Sequence, residues 1–279
     1  MRIARTVAEL RAFYRNERDR GTIVGFVPTM GALHEGHLSL IRKARESADL
    51  VVASVFVNPL QFGPSEDYGS YPRDEARDLG LLESEDVNLV FLPPVEQMYP
   101  EGAVTTVHVD GPLTSSLEGA ARPGHFDGVA TVVVKLFNVV EPDFAVFGQK
   151  DAQQVAVIRR VVLDLGYRTE IVVAPTVREE DGLASSSRNA YLGEEERSAA
   201  IALYTALSAG EEALVAGGPD PAVERMREVL DGAHGVEPDY AAAVDPYTFE
   251  APRAGGPLLL AVAARVGRTR LIDNLLLNP

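Results

Sequence analysis

Two histidines three residues apart, His34 and His37, stand within Val27–Ala44, VPTMGALHEGHLSLIRKA. An apolar run at 22–27 leads into Pro28-Thr29-Met30-Gly31, and a periodic apolar pattern begins at His34. The order is therefore strand, glycine-bearing turn, helix. That geometry can turn backbone N–H groups and a positive helix end toward a phosphate. The spacing of three puts both imidazoles on one face of the first helical turn, and Gly36 leaves a ligand's approach to it open. Either histidine alone reads as a helix cap or a core residue, but for the pair, after a strand and a Met-Gly turn, a bound polyphosphate is the better account, since a cation at a helix N-terminus is disfavoured. Metal ligation is set aside, because zinc sites on helices more often space histidines four apart and no third ligand follows nearby.

Lys150 is one of only three lysines, with Lys43 and Lys135. It lies in Gly148-Gln149-Lys150-Asp151, after an apolar run and before a helical pattern. There it can serve as a mobile point charge for phosphate, although Asp151 as a plain helix cap is an equally ordinary reading. Gln154, one turn later, points the same way. Ser185-Ser186-Ser187-Arg188-Asn189 has the composition of a flexible loop, and Gln61 by itself reads as a solvated loop glutamine. Asp78 reads as a surface charge, and His108, His125 and His234 as structural histidines.

These residues need elements to place them. Thr6-Val7-Ala8-Glu9 is a capping box that opens a helix to about Arg20. Asp49–Val57 is a β-branched run suited to a strand buried on both faces, stopped by Asn58-Pro59. A loop over Leu60–Arg73, a helix from Asp74 to about Glu85 and a strand at Asn88–Leu92 follow. The stretch Pro93–Phe126 is read as loops with a short strand, Thr105–Val109. Asp127–Val140 is a helix, Phe144–Phe147 a strand, Gln153–Leu165 a helix and Thr169–Val173 a strand. Alternating strands and helices imply a parallel sheet, with ligands at the strands' carboxyl ends. After a polar connector, Pro175–Leu192, helices at Glu194–Ala216 and Pro221–Asp231 precede strands at Tyr240–Val244, Leu258–Val266 and Thr269–Leu275. Without long crossovers these are expected to be antiparallel.

The composition narrows the class. The 279 residues are 46% hydrophobic and 24% charged, ordinary for a globular protein. The absence of cysteine excludes disulfides, thiolate metal sites and thiol nucleophiles. No secretory signal opens the chain and no apolar run of ~18–20 residues is found, so a cytoplasmic protein is expected. A net charge of −15 argues against nucleic-acid binding and leaves any anionic ligand to local cations.

His-x-Gly-His after a strand resembles the signature of the nucleotidyltransferase and class I aminoacyl-tRNA synthetase superfamily. VPTMGALHEGH, SVFVNPLQFGPSEDYGSYPRD, GHFDGVATVVVKLFNVVEPDFAVFGQKDAQQ and PTVREEDGLASSSRNAYL, in that order, resemble the pantothenate synthetase (pantoate–β-alanine ligase) family over nearly the whole chain. The resemblance implies a Rossmann-like parallel-sheet domain, 1–176, that binds nucleotide and substrate. A smaller α+β domain, 177–279, would close over the site. It implies ATP contacts from Met30, Gly31, Ala32, Leu33, His34, Glu35, Gly36 and His37, from Gly148, Gln149, Lys150 and Asp151, and from Val177, Ser185, Ser186, Ser187 and Arg188. Ser185 departs from the family's usual Met or Leu. His34, His37, Lys150 and Arg188 would carry charge stabilisation, and Gln61 and Gln154 would hold pantoate, Gln61 also β-alanine. Asn58, Tyr71 and Arg122 are secondary candidates. Mg²⁺ is expected with ATP, but no residue is assigned as its ligand, although Asp78 matches a family acid near the ion. A homodimer is implied by the family alone. Two alternatives stay open: a nucleotidyltransferase acting on a phosphorylated acceptor, and a non-catalytic ATP-binding module.

Overall fold

The computed structural model describes residues 1–17, 21–64 and 66–278. The expected end of the first helix near Arg20 lies outside the described residues; the helix is seen over Val7–Glu17. Its capping box is formed, with Thr6 Oγ1 accepting from Glu9 N–H and Glu9 reaching back to Thr6 N–H.

The chain divides into two compact units, 1–148 with 157–174, and 149–156 with 175–279. In the first unit, described strands β1 (Arg2–Ala4), β2 (Val24–Thr29), β3 (Leu50–Val55), β4 (Leu89–Phe91), β5 (Phe144–Gly148) and β6 (Glu170–Ala174) form a single sheet. Its order is β1-β4-β3-β2-β5-β6, and every pair is parallel. This is the Rossmann-like sheet that the alternating pattern implies. The chain moves outward from β2 through β3 to β4, then returns to place β5 on the other side of β2. That reversal opens a crevice at the carboxyl ends of β2 and β5, where open α/β sheets bind ligands. Apolar side chains fill the space under the signature helix, Glu35–Arg45, with Leu40, Ile41 and Ala44 packed on Val27, Val51, Ala53 and Val146.

Two readings need correction. β1 is a strand that the sequence did not announce, because three residues are too few to show a period. The expected strand Thr105–Val109 does not form. Val107 N–H instead donates to Thr131 Oγ1 and His108 Nδ1 meets Asp127, both on the helix His125–Val140. β-Branched composition needs a sheet edge to pair with, and this segment runs along a helix.

In the second unit, helices Glu194–Ala200, Ala202–Gly217 and Pro219–Asp231 pack on an antiparallel sheet. Its strands are β7 (Val236–Val244), β8 (Leu258–Val266) and β9 (Thr269–Leu277), in that order. The expected single helix from Glu194 is divided at Ile201, whose backbone stays helical. The combined stretch, Glu194–Gly217, has the length and mean hydropathy of a membrane span by composition alone, without being an unbroken apolar run. It carries Glu194–Arg197, Glu211 and Glu212, and its Leu203, Ala206 and Leu207 lie in this unit's core.

Candidate functional site

The signature turn is held by side chains rather than left open. Gly31 has φ +80°, a conformation that glycine adopts without penalty, and Ala32 follows at φ +50°. A side chain at Gly31 would also come within 2.8 Å of the Asp78 carboxylate. That carboxylate accepts from Ala32 N–H at 2.9 Å and Leu33 N–H at 2.8 Å, while Gly31 N–H reaches Thr29 Oγ1 at 3.3 Å. The Thr29 hydroxyl in turn donates to Ser54 O at 2.7 Å, and Arg77 donates to Leu33 O.

Two expectations change. Asp78 is not a surface charge: it is 1% exposed and organises the turn. Nor are the amides of Gly31, Ala32 and Leu33 open to a phosphate, since each already has an acceptor. These residues can meet a nucleotide through shape and through the histidines that follow.

Those histidines also cap the helix, the role that either one alone suggests. His34 is the N-cap of the signature helix, and its Nδ1 accepts from Gly36 N–H at 3.2 Å. His37 Nδ1 faces His34 N–H at 3.4 Å, and the two rings lie 4.1 Å apart. As neutral acceptors they suit a helix N-terminus, whereas as cations they would not. With Nδ1 accepting, the ring proton of each is on Nε2, so each offers an Nε2–H donor.

Gln61 is buried on a short helical turn, Pro59–Gln61, rather than solvated. Its Oε1 accepts from Asn58 Nδ2 at 3.1 Å, and its Nε2 lies 2.9 Å from Met30 Sδ of the signature turn. Asn58 is fixed in turn by Gly128 O and by the Tyr99 hydroxyl. The backbone of Gln61 is gripped too: His125 Nδ1 contacts Gln61 O at 2.8 Å, and His125 Nε2 lies 3.0 Å from Arg122. Arg122 forms a two-pronged pair with Glu66. Tyr71 is buried against Phe62.

In the second unit, Gln149–Asp151 form a short helical turn directly after β5, with Lys150 Nζ 3.4 Å from Asp151. Gln154 is half-buried on the helix that follows, Ala152–Asp164. The connector is more built than its composition implies. Arg178 and Ala184 pair across a hairpin, and Ser185 N–H donates to Val177 O at 2.9 Å. Ser186 Oγ accepts from Arg188 N–H to open a helical turn, Ser187–Tyr191.

The family model for pantoate-beta-alanine ligase matches residues 2–276. The chain belongs to the pantoate–β-alanine ligase family. It is 51% identical to the pantothenate synthetase of Carboxydothermus hydrogenoformans, over all of this chain and 99% of that one. A solved pantothenate synthetase from Thermus thermophilus superposes with a TM-score of 0.93 at 53% identity, over the whole of both chains. The Francisella tularensis pantoate-beta-alanine ligase, solved with beta-gamma ATP and beta-alanine, superposes with a TM-score of 0.82 at 35% identity, over 99% of this chain and 97% of that one.

Within this ligase-family chain, sequence alone shows neither the turn-holding role of Asp78 nor the partners of Tyr99 and His125. Asp78 had a visible signal: it stands four residues before Leu82 on the buried side of its helix, where an acid is costly unless bonded. Tyr99 and His125 had none, because their partners lie 41 and 64 residues away. Burial raises the Tyr99 hydroxyl's pKa, so it remains a donor. At Glu66 burial pushes upward, but the hydrogen bond and charge of Arg122 hold the carboxyl below its usual range.

His125 gives a pH prediction. Burial first, then the Arg122 charge, lowers its pKa from 6.5 to about 4. The unfolded chain therefore takes up the proton at a higher pH than the folded one. The neutral ring's contribution is complete above about pH 6.5 and is lost as pH falls toward about 4, a change of roughly 3 kcal/mol at most. Urea unfolding of wild type and His125→Gln between pH 7.5 and 4 should show a stability gap that narrows on acidification. A gap that stays constant across this window would remove His125 as its source.

Proposed function

We propose that this chain condenses pantoate with β-alanine, using ATP and releasing AMP and pyrophosphate. A pantoate carboxylate oxygen attacks the α-phosphorus and pyrophosphate leaves, giving pantoyl adenylate. The β-alanine amine then attacks the acyl carbon, the C–O bond to AMP breaks, and the amine gives up its proton as the amide forms. A free carboxylate is a poor acyl donor, and adenylation turns its oxygen into a good leaving group. No protein nucleophile is needed, in keeping with a chain without cysteine.

The observation that carries the reading is the contact of Gln61 with Met30, which sets a buried amide beside the two-histidine turn. His34 and His37 donate Nε2–H to the polyphosphate, and Lys150, Ser186, Ser187 and Arg188 of the second unit supply further cations and donors. Gln61 and Gln154 hold pantoate, and Gln61 also faces β-alanine. Val177 meets adenine through its backbone. Among the described residues no cluster of three His, Asp or Glu side chains could hold a metal, and both oxygens of Asp78 are engaged by amides. Mg²⁺ would enter with ATP, where it would neutralise charge on the phosphates, and no residue of this chain is assigned as its ligand. The chain works as a cytoplasmic homodimer without nucleic-acid or membrane partners.

Pyrophosphate exchange tests this directly. Labelled pyrophosphate should enter ATP when pantoate and Mg²⁺ are present and β-alanine is absent. Gln61→Ala should weaken the dependence on pantoate by roughly 1–3 kcal/mol, the cost of leaving its polar groups unpaired. A nucleotidyltransferase would ignore pantoate, and a binding module would show no exchange. Either result would overturn the ligase reading.

A further inference from the structure

The turn that carries Lys150, and Arg178 at the start of the hairpin leading into Ser185–Arg188, are both tied to two consecutive residues of β9, Asp273 and Asn274. The Asn274 side chain is 5% exposed and its amide is fully used. Nδ2 donates to Lys150 O at 2.8 Å and to Gln149 O at 3.0 Å, and Oδ1 accepts from Gln149 Nε2 at 3.0 Å. The turn that carries Lys150 is thus fastened at three points.

Asp273 is 3% exposed and pairs with Arg178 through two bonds, at 2.6 and 3.0 Å. The same guanidinium donates to Asn274 O and Gly182 O and lies 4.4 Å from the centre of the Tyr204 ring. Arg178 begins the hairpin that ends at Ala184, and Val177 O holds Ser185 N–H. Gly182 at the hairpin tip has φ +92°, and a side chain there would run into Tyr204. An Asp-Asn pair in the run Leu271-Ile272-Asp273-Asn274-Leu275 is costly to bury unless each group is bonded. Apart from the Asn274 N–H that donates to Asp273 Oδ1, the described side-chain bonds of the pair go to the Lys150 turn and the hairpin.

We propose that Asp273 and Asn274 are a positioning pair for adenylation. Asn274 sets the Lys150 turn, and Asp273, through Arg178, sets the hairpin that leads into Ser185–Arg188. One strand thereby fixes two cationic segments against each other, so that both serve the same triphosphate. The inference rests on the reading of Lys150 and Arg188 as phosphate ligands.

A double-mutant cycle tests it, with pantoate-dependent pyrophosphate exchange as the readout and thermal midpoints as the check on folding. Asn274→Asp puts an oxygen where Nδ2 faced two carbonyls. It should lower exchange by roughly 10–100-fold in the wild-type background, the scale of a misplaced catalytic group. In a Lys150→Ala background the same change should cost less than about 3-fold, because Asn274 acts through Lys150. If Asn274→Asp does not fold, Asn274→Ser takes its place in the cycle. Equal losses in both backgrounds would make Asn274 a general stabiliser and overturn the proposal, as would no loss in the wild type. Undiminished exchange in Lys150→Ala alone would instead remove the premise about Lys150. For the other arm, Asp273→Asn should speed protease cleavage between Arg178 and Asn189 in the folded protein, and unchanged cleavage would remove Asp273 from the pair.

Discussion

Replacing His37 with alanine is expected to slow pantoyl adenylate formation by roughly 10²–10³-fold, the usual loss for one preorganised transition-state donor. The same change removes the acceptor of His34 N–H at the head of the signature helix, which costs about 0.5–1 kcal/mol of stability. His37→Asn separates the two effects. An asparagine oxygen can still accept from His34 N–H, but it cannot replace the Nε2–H donor aimed at the polyphosphate. Asparagine should therefore restore the unfolding midpoint and leave adenylation slow. Single-turnover measurements with ATP and pantoate give the rate, and urea unfolding gives the stability. Adenylation at the wild-type rate in either folded variant would take His37 out of the chemistry.

The second large effect is expected at Asp78. Its carboxylate is the acceptor for the buried amide of Leu33 and the half-buried amide of Ala32. Asp78→Ala leaves both unsatisfied at about 1–3 kcal/mol each, so a loss of roughly 2–6 kcal/mol is expected. Asp78→Asn keeps one acceptor but turns an NH₂ group toward the other N–H, and should fall in the lower part of that range. The loss is local in origin. Gly31 and Ala32 hold left-handed backbone only while the carboxylate ties the turn down, so exchange activity per folded molecule should drop as well. A denaturant midpoint within error of wild type, together with full activity, would show that the turn holds without Asp78.

The signature segment was legible because its instructions are local. An apolar β run, Met-Gly, and histidines three apart specify strand, turn and helix within about twenty residues, and the structure has them at Val24–Thr29 and Glu35–Arg45. The antiparallel C-terminal strands were legible for the same reason, since β8 and β9 are joined by Gly267 and its neighbours without a crossover. The two histidines are legible as a pair but not in their charge, since the rings accept through Nδ1 and so cap the helix end as neutral groups.

By itself, the sequence determined the alternating sheet, the family, and the residue types that can meet a polyphosphate, because periodicity and short motifs are carried by neighbours along the chain. The tertiary structure decided which of those groups are already engaged. Asp78 lies 46 residues from Ala32, His125 lies 64 from Gln61, and Asn274 lies 124 from Lys150. A buried carboxylate, imidazole or amide is stable only where its bonding partners arrive, and those partners come from elements that only the completed fold brings together.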